Sequence, residues 1–292
     1  MEKSNNIGKR KIIVQQLAFG LFSLVSYAVV AILFVILAFI VVKGIGVISW
    51  EFISEMPKNG MTEGGIFPAI IGTLCLVLVS MIFAFPVGVF AGIYMNEYVK
   101  DGFIKKFIKQ MTNNLAGVPS IVFGLFGMSL FVNKLGFGDS IIAGGLTLGL
   151  LVLPIIIRTT EESLKAVDNT FRQASLGLGA SKWETTSKVV LPIAFPNIIT
   201  GLILSIGRVS GETAPILFTV AAYFLPKLPT SIFDQVMALP YHLYVISTSG
   251  TNIEASRAMA YGTALVLIVI VLISNILANM LRKYYGKKVK MN

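Results

Sequence analysis

Charged side chains are scarce in this sequence, and their scarcity indicates its class. Asp, Glu, Lys and Arg make up 13% of the 292 residues, while hydrophobic residues make up 55%. A soluble domain carries about 25% charged residues. The mean hydropathy of +0.82 points the same way. The composition therefore excludes a water-soluble globular protein and predicts an integral membrane protein.

Cysteine and histidine occur once each, which limits the chemistry open to the chain. Cys75 alone excludes an internal disulfide framework. No cluster of cysteines or carboxylates completes a metal site with His242, so we expect that histidine to be structural. The sequence shows no nucleophile–base pair and no Gly-x-x-x-x-Gly-Lys-Ser/Thr phosphate-binding loop. We expect no enzymatic activity and no cofactor bound by this chain, so an intramembrane enzyme is a weak alternative.

Acidic residues are also few: 14 stand against 24 basic ones, for a net charge of +10. The basic residues cluster beside apolar runs, as expected for topology signals and for contacts with anionic lipid headgroups. We therefore expect membrane lipid, and not nucleic acid, as a partner.

Long apolar runs are what the sequence has in abundance. A membrane-crossing helix needs about 20 residues, and no small-residue cleavage pattern follows the first run, which reads as a retained helix. The predicted fold class is an all-α membrane protein with six transmembrane helices, near 17–42, 68–94, 112–132, 141–157, 197–224 and 259–281. The predicted organisation is a tail at 1–16, a transmembrane domain at 17–281 and a tail at 282–292.

The Lys and Arg residues are unevenly distributed between the connections. The two tails and the second–third and fourth–fifth connections together carry 18, the remaining connections carry 5, and Arg208 lies within a span. The positive-inside rule then predicts that both termini are cytoplasmic, which requires an even number of spans.

The connection 158–196 differs in composition from the others. A helix continues from the fourth span, and a short, partly apolar helix follows, interrupted by Gly177 and Gly179. Such a helix either docks in a groove of a partner protein or lies on the bilayer surface, and its residues alone leave both open.

This connection carries a family resemblance. Gln173-Ala174-Ser175-x-x-x-Gly179, followed by Val189-Val190-Leu191-Pro192, resembles the Glu-Ala-Ala signature of permease subunits of bacterial ABC importers. The resemblance implies a type I importer permease fold with a cytoplasmic coupling helix that docks on an ATPase subunit. Gln173 replaces the usual glutamate, which leaves open the ion pair normally made there. The implied coupling residues are Gln173, Ala174, Ser175, Gly179, Ala180, Leu191 and Pro192.

The fifth predicted span carries two charges at membrane depth, where an arginine costs roughly 2.5–3.5 kcal/mol. Arg208 and Glu212 are four residues apart, so a helix brings them onto one face. We expect Gly207 and Gly211 to permit close helix contact and Pro215 to kink the helix. Two interpretations stay open: a substrate path formed by Arg208, Ser210, Glu212 and Thr213, or a static ion pair between helices.

Two segments resemble the permease subunits of high-affinity phosphate importers. These are 114–125 in the third span and 208–215 in the fifth, whose Gly-Glu-Thr-Ala-Pro form is similar to the PstA-type subunit. The resemblance implies phosphate as cargo and three kinds of protein partner: a PstC-like second permease, two PstB-like ATPase subunits that use ATP and Mg, and a PstS-like extracytoplasmic phosphate-binding protein. It also implies a location in the bacterial plasma membrane.

Other assignments compete with this one. The chain also fits a PstC-like sister subunit, or a permease for another oxyanion such as sulfate or molybdate, because selectivity lies mainly with the binding protein. A secondary carrier is less well supported, since no internal repeat is visible.

Overall fold

The computed structural model describes the backbone of residues 2–248 and 253–291, and side chains within 11–248 (except residue 13) and 256–286. The tail side chains of Lys3, Lys9, Arg10, Lys287, Lys288 and Lys290 fall outside this part. The described residues are mostly helical, with one two-residue antiparallel ladder and a long irregular stretch before residue 239, which confirms the predicted all-α class. Within these residues five helices are long and apolar enough to span a membrane, namely Val14–Val47, Phe67–Tyr98, Ile141–Lys165, Lys182–Gly211 and Ser256–Gly286, and the bent pair Phe103–Ala116 and Ser120–Lys134 makes a sixth if it is one span.

The elements follow one another along the chain, and the longest connection, 218–238, separates α10 from α11. The first half contains α1 (Glu2–Gly44), α2 (Trp50–Ser54), β1 (Pro57–Lys58), β2 (Glu63–Gly64), α3 (Phe67–Ile93), α4 (Phe103–Ala116) and α5 (Ser120–Gly127). The second half contains α6 (Ile141–Lys165), α7 (Asn169–Gly177), α8 (Lys182–Glu184), α9 (Leu191–Gly211), α10 (Ala214–Leu217), α11 (Leu239–Thr248) and α12 (Ile253–Met291). The antiparallel strands pair Pro57 with Gly64 and Lys58 with Glu63. π-Helical turns extend α3 to Tyr98 and α5 to Lys134, and join α8 to α9.

The third predicted span, 112–132, is wrong as a continuous helix. α4 ends at Ala116 and α5 begins at Ser120, and the two axes meet at 98°. Pro119 has extended backbone (φ −57°, ψ 139°), and a residue that precedes proline is pushed out of the helical region. The Gly117-Val118-Pro119 stretch therefore interrupts what hydropathy alone treats as one segment.

The fifth predicted span, 197–224, also has different bounds. The helix starts earlier, because α8, the π-turn and α9 form continuous helix from Lys182 to Gly211. It ends at Gly211, where Glu212 turns extended (φ −76°, ψ 127°). Pro215 does not kink this helix; it lies in the first turn of α10, where proline is tolerated. The helix of the fourth predicted span is α6, which runs to Lys165, beyond the predicted end at residue 157, and contains Pro154.

The centre of the fold is the packing of α3 against α6. Glycines bring the two helices together: a Cβ on Gly145 would lie 2.5 Å from Val79 Cγ1, and one on Gly88 2.6 Å from Ile156 Cγ2. Small residues at such contacts let membrane helices approach closely where no hydrophobic force drives them together. By contrast, α1 packs on α12 and leaves its apolar side chains exposed, as a lipid-facing helix does.

Candidate functional site

The end of α9 lies beside the middle turns of α3 and α6. A small cavity of about 10 Å³ is lined there by Leu76 of α3, Leu148 of α6, and Ser210 and Glu212 at the end of α9. From Glu212 to α11 the backbone is mostly non-helical. Inside a membrane, such backbone is tolerated only where protein buries it or where it lines an aqueous cavity.

The non-helical segment is fixed to the start of α6. The first N–H groups of α6 lack partners within their own helix, and carbonyls of this segment accept from them. Ser140 N donates to Thr219 O at 2.9 Å, Ile141 N to Asp234 O at 3.0 Å and Ile142 N to Ile232 O at 3.0 Å. The break after α9 is therefore an ordered part of the fold.

Arg208 and Glu212 contact each other, but not in the predicted setting. Arg208 Nε donates to Glu212 Oε1 at 3.3 Å. Glu212 lies past the helix end, so the pair closes the last turn of α9, where the helix dipole favours a cation. The side chains are 39% and 17% exposed. The pair joins no two transmembrane helices of this chain, which weakens the interpretation of an internal structural brace.

Arg208 belongs to a strip of α9 that faces away from the chain. This open α9 face consists of Leu204, Arg208 and Gly211, which are exposed and share one side of the helix. A Cβ on Gly211 would meet no atom within 4 Å, and one on Gly207 would come no nearer than 3.9 Å to Asn275. The expected close helix contact at the Gly-x-x-x-Gly spacing is thus not made within the described chain. An arginine at this depth requires a second protein surface or water opposite it.

The other two predicted path residues, Ser210 and Thr213, do not lie on the open α9 face. Ser210 is 1% exposed, and its Oγ donates to Ile206 O at 2.8 Å, so it belongs to the packed side of α9. Thr213 precedes α10 and is half-buried, and its side chain does not cap that helix. Arg208 and Glu212 therefore form the polar centre of the site.

The short helix predicted in the connection 158–196 is α7. Asp168 caps its N-terminus, because Oδ1 accepts from Thr170 N at 2.8 Å; these hydrogen bonds hold the pKa of the carboxyl below its ordinary value. Gly179, with φ +84°, ends the segment in the left-handed region that favours glycine. Ala180 N then donates to Ser175 O at 3.2 Å.

One side of α7 is exposed and partly apolar. Phe171 is 50%, Leu176 49% and Leu178 89% exposed, and Gln173 and Ala174 are exposed among them. Ser175 faces inward instead, with its Oγ 2.9 Å from Thr185 Oγ1. Of the other predicted coupling residues, Gly179 is exposed, Ala180 is half-buried, Pro192 is exposed at the start of α9, and Leu191 packs against a core cluster that contains Ile93, Leu164 and Ile198.

Arg172 holds α7 to the membrane helices, a role that the sequence pattern did not reveal. Its Nη2 donates to Glu97 Oε1 at 2.8 Å and to Leu164 O at 2.8 Å, and its Nη1 donates to Val167 O at 2.8 Å and to Asn169 Oδ1 at 3.3 Å. A further bond, from Nε to Glu97 Oε2 at 3.3 Å, makes the ion pair bidentate. We call these contacts the Arg172 network. The pair is largely buried, with side chains 16% and 8% exposed.

The Arg172 network joins three elements at one end of the molecule. Glu97 lies in the π-turn that ends α3, Leu164 lies in the last turn of α6, and Val167 follows α6. The helix that begins at Lys182, just after α7, runs without a break to Gly211. Thirty residues of helix span about 45 Å. α7 itself ends at Gly177, and residues 178–181 join it to this helix, whose other end carries Arg208.

Comparison with known proteins adds a family and a fold. The family described as "Binding-protein-dependent transport system inner membrane component" matches residues 84–291. A "Probable ABC transporter permease protein YqgI" of Bacillus subtilis is 35% identical, with 96% of this chain and 99% of that protein covered. A "Phosphate transport system permease protein PstA 1" of Mycobacterium tuberculosis is 41% identical over 75% of this chain and 71% of that protein. A "Phosphate transport system permease protein PstA" of Yersinia pestis is 34% identical, covering 85% and 82%.

Two solved structures share the fold. A chain of a bacterial alginate ABC transporter in complex with a pentasaccharide-bound periplasmic protein has a TM-score of 0.67 at 13% identity, covering 91% of this chain and 95% of that one. A chain of the MetNI methionine ABC transporter in an inward-facing conformation has a TM-score of 0.59 at 16% identity, covering 74% and 94%. These likenesses confirm the predicted ABC importer permease fold.

Proposed function

The chain belongs to the family of binding-protein-dependent transport system inner membrane components, and from this membership we propose that it is a permease subunit of an ATP-driven importer of inorganic phosphate. It is a multi-pass membrane protein and a transport component, not an enzyme. Family membership implies partnership with an ATPase and with a substrate-binding protein.

The similarity to phosphate permeases supports phosphate as the cargo. Identity of 34% to 41% extends over three quarters or more of this chain in the Mycobacterium and Yersinia proteins. The finer composition of the complex belongs to the proposal: a PstC-like sister permease, two PstB-like ATPase subunits and a PstS-like phosphate-binding protein. This chain binds no cofactor, and the ATPase subunits use ATP and Mg.

The coupling end is proposed to face the cytoplasm of a bacterium, with both termini on that side of the plasma membrane. The excess of Lys and Arg in the tails and in the connections on this side supports this orientation. The exposed side of α7 then meets a groove of an ATPase subunit, as amphipathic helices do with apolar grooves. Leu178 is its most exposed apolar side chain, at 89%.

The open α9 face is proposed to line the anion path together with the sister permease. A guanidinium presents donors in a planar fork that suits phosphate oxygens, and in this chain Arg208 directs Nε toward Glu212. When phosphate leaves, the nearby carboxylate keeps Arg208 in place and reduces its positive field. The cargo thus meets a site that binds it transiently, as release requires.

Uptake of labelled phosphate into proteoliposomes tests the proposal. The vesicles contain this chain, its sister permease and the ATPase subunits, with ATP at the coupling end and the binding protein outside. We expect ATP-dependent accumulation of phosphate that excess sulfate does not reduce. Accumulation without ATPase subunits would contradict an ATP-driven importer, and competition by sulfate would contradict an assembled importer that is specific for phosphate.

A further inference from the structure

α4 has an exposed apolar side and an opposite polar side, and two polar residues of that side contact α6. Arg158 Nη2 donates to Asn113 Oδ1 at 2.6 Å, and Lys109 Nζ lies 3.4 Å from Glu161 Oε1, so two polar contacts hold α4 on α6. Glu161 itself is only 4% exposed. The apolar side chains on the opposite face are exposed: Phe103 82%, Ile104 68%, Phe107 52%, Met111 45% and Leu115 38%.

The orientation of α4 follows from its neighbours. α3 with its π-turn ends at Tyr98, and the membrane-crossing segment Ser120–Lys134 meets α4 at 98°. α3 and α6 run in the same direction, because Gly145 lies against Val79 and Gly88 against Ile156, so the chain between them returns across the bilayer through Ser120–Lys134, and α4 lies nearly parallel to the membrane plane. Its contacts with Arg158 and Glu161, near the end of α6, place it at the same end as α7. α4 therefore lies at the membrane surface, between two transmembrane segments.

A basic cleft accompanies the apolar face. The cleft has a volume of about 480 Å³, and its charged lining comprises Lys105, Lys106, Lys109 and Lys165 against Asp101 and Glu161. Asp101 pairs with Lys105 at 2.8 Å, and Glu161 pairs with Lys109 and Lys165. Among the described residues, Lys106 forms no ion pair and is exposed. The cleft thus keeps a net positive charge beside exposed phenylalanines.

We propose that α4 is an interfacial helix whose apolar face enters the bilayer while the adjoining lysine cleft binds the phosphate group of an anionic phospholipid. Helices with a basic polar side and Phe or Leu on the other lie in the membrane interface in this way, and basic residues near the surface attract anionic lipid. The sister permease is the competing occupant of the apolar face. Lysine, however, is depleted in protein–protein interfaces, and residues 103–116 contain three lysines and no acidic residue.

A quenching experiment on the assembled transporter tests both parts. Because Cys75 is the chain's one cysteine, Cys75→Ser with Phe107→Cys gives a single position for a fluorescent label. The labelled chain is reconstituted with its partner subunits, in membranes containing either brominated phosphatidylglycerol or brominated phosphatidylcholine at the same mole fraction. We expect both lipids to quench the label, and the anionic lipid to quench about twofold more strongly.

Charge variants show whether the cleft causes the preference. Lys105→Gln with Lys106→Gln removes the preference for phosphatidylglycerol and leaves quenching by phosphatidylcholine. The matched control, Lys134→Gln with Lys227→Gln, removes two exposed charges outside the cleft and keeps the preference. Native mass spectrometry of the unlabelled chain with and without the cleft substitutions gives a second measure, as retained phosphatidylglycerol molecules.

Three outcomes would contradict the proposal, each in a different part of it. Absence of quenching by either lipid means that protein covers the apolar face. Equal quenching by both lipids in the chain with intact lysines rejects an anionic headgroup. Loss of the preference on adding inorganic phosphate means that the cleft takes the free anion and not the lipid.

Discussion

Two arginines are held very differently: Arg172 lies in α7, ahead of the long helix Lys182–Gly211, and Arg208 lies in the last turn of that helix. Arg172 makes five hydrogen bonds to four residues, of which three lie at or just after the ends of α3 and α6 and the fourth, Asn169, lies in α7, and its partner Glu97 is nearly buried. Arg208, as far as the described side chains show, makes one hydrogen bond of 3.3 Å and is 39% exposed. The difference fits the roles proposed above, since a coupling contact with the membrane helices has to be fixed, whereas a side chain proposed to meet an anion has to be free to exchange partners.

The Arg172 network should be the more sensitive of the two. Arg172→Met leaves the Glu97 carboxylate in a buried setting without its partner, which typically costs about 3–5 kcal/mol. We expect loss of thermal stability of the purified chain and loss of phosphate uptake. Glu97→Gln with Arg172→Met removes both charges and should restore part of the stability, measured by thermal unfolding. An unchanged melting temperature for Arg172→Met alone would contradict the role assigned to the network.

Arg208 should show the opposite pattern, a loss of transport without a loss of stability. Arg208→Gln removes the charged hydrogen bonds that the guanidinium is proposed to make to phosphate, each worth about 1.5–3 kcal/mol. Loss of one such bond should lower phosphate uptake by about tenfold to a hundredfold. Stability should change by less than about 1 kcal/mol, since an exposed ion pair contributes little. Arg208→Lys keeps the charge but loses the planar fork of donors, so its phosphate uptake should lie between that of the unsubstituted chain and that of Arg208→Gln. Normal uptake by Arg208→Gln in an assembled complex removes Arg208 from the mechanism.

A substitution on the exposed side of α7 should change the affinity for the ATPase subunit and leave the stability of the chain unchanged. Leu178→Asp loses an apolar contact worth about 1.5 kcal/mol or more when a leucine is buried, so the dissociation constant of the ATPase subunit should rise by about tenfold. Leu135→Asp, which changes a 52% exposed leucine after α5, is the matched control and should bind the ATPase normally. Equal effects of the two substitutions would mean that α7 is not the docking surface.

Substitution of Asp168, the N-cap residue of α7, should have the smallest effect on phosphate uptake. Asp168→Asn keeps a capping side chain and should transport normally, while Asp168→Ala should lower uptake by less than about twofold, because the Arg172 network still holds α7. The lowered pKa of the Asp168 carboxyl means that its contribution is present above the ordinary value of about 3.9 and is lost as pH falls through the lowered value. The ratio of Asp168→Ala to unsubstituted uptake should therefore stay constant between about pH 6 and 8.

Hydropathy located the long helices well but failed at two breaks. Hydropathy treats 112–132 and 197–224 as single runs, although the first breaks at Gly117-Val118-Pro119 and the second at Gly211-Glu212-Thr213, where Glu212 is charged. Glycine and proline are common in continuous membrane helices, since neighbouring helices satisfy the freed backbone groups. Whether such a residue bends, ends or merely interrupts a helix depends on those neighbours, as Pro154 inside α6 and Pro215 at the start of α10 illustrate.

The candidate site was predictable in part, for the same kind of reason. The spacing of Arg208 and Glu212 predicted their contact, and the partly apolar stretch after Arg158 predicted a short helix interrupted by glycines around Leu178. Ser210 and Leu191 were assigned to the path and to the coupling surface, yet both pack inward. Helical spacing shows which residues share a side, but it does not show which side is covered. The Glu97–Arg172 pair, 75 residues apart, follows no local pattern at all.

The sequence by itself determined that this is an all-α membrane protein and that its fifth predicted span carries charge, and its resemblance to importer permeases implied that a coupling segment precedes that charge. The first two properties follow from composition and short-range periodicity, which local chain geometry translates directly into structure. Only the tertiary structure decided which arginine is fixed and which is open, and that α4 turns its apolar side outward. Those distinctions depend on contacts between residues far apart in the chain, and burial, unlike hydropathy, is a property of the packed whole.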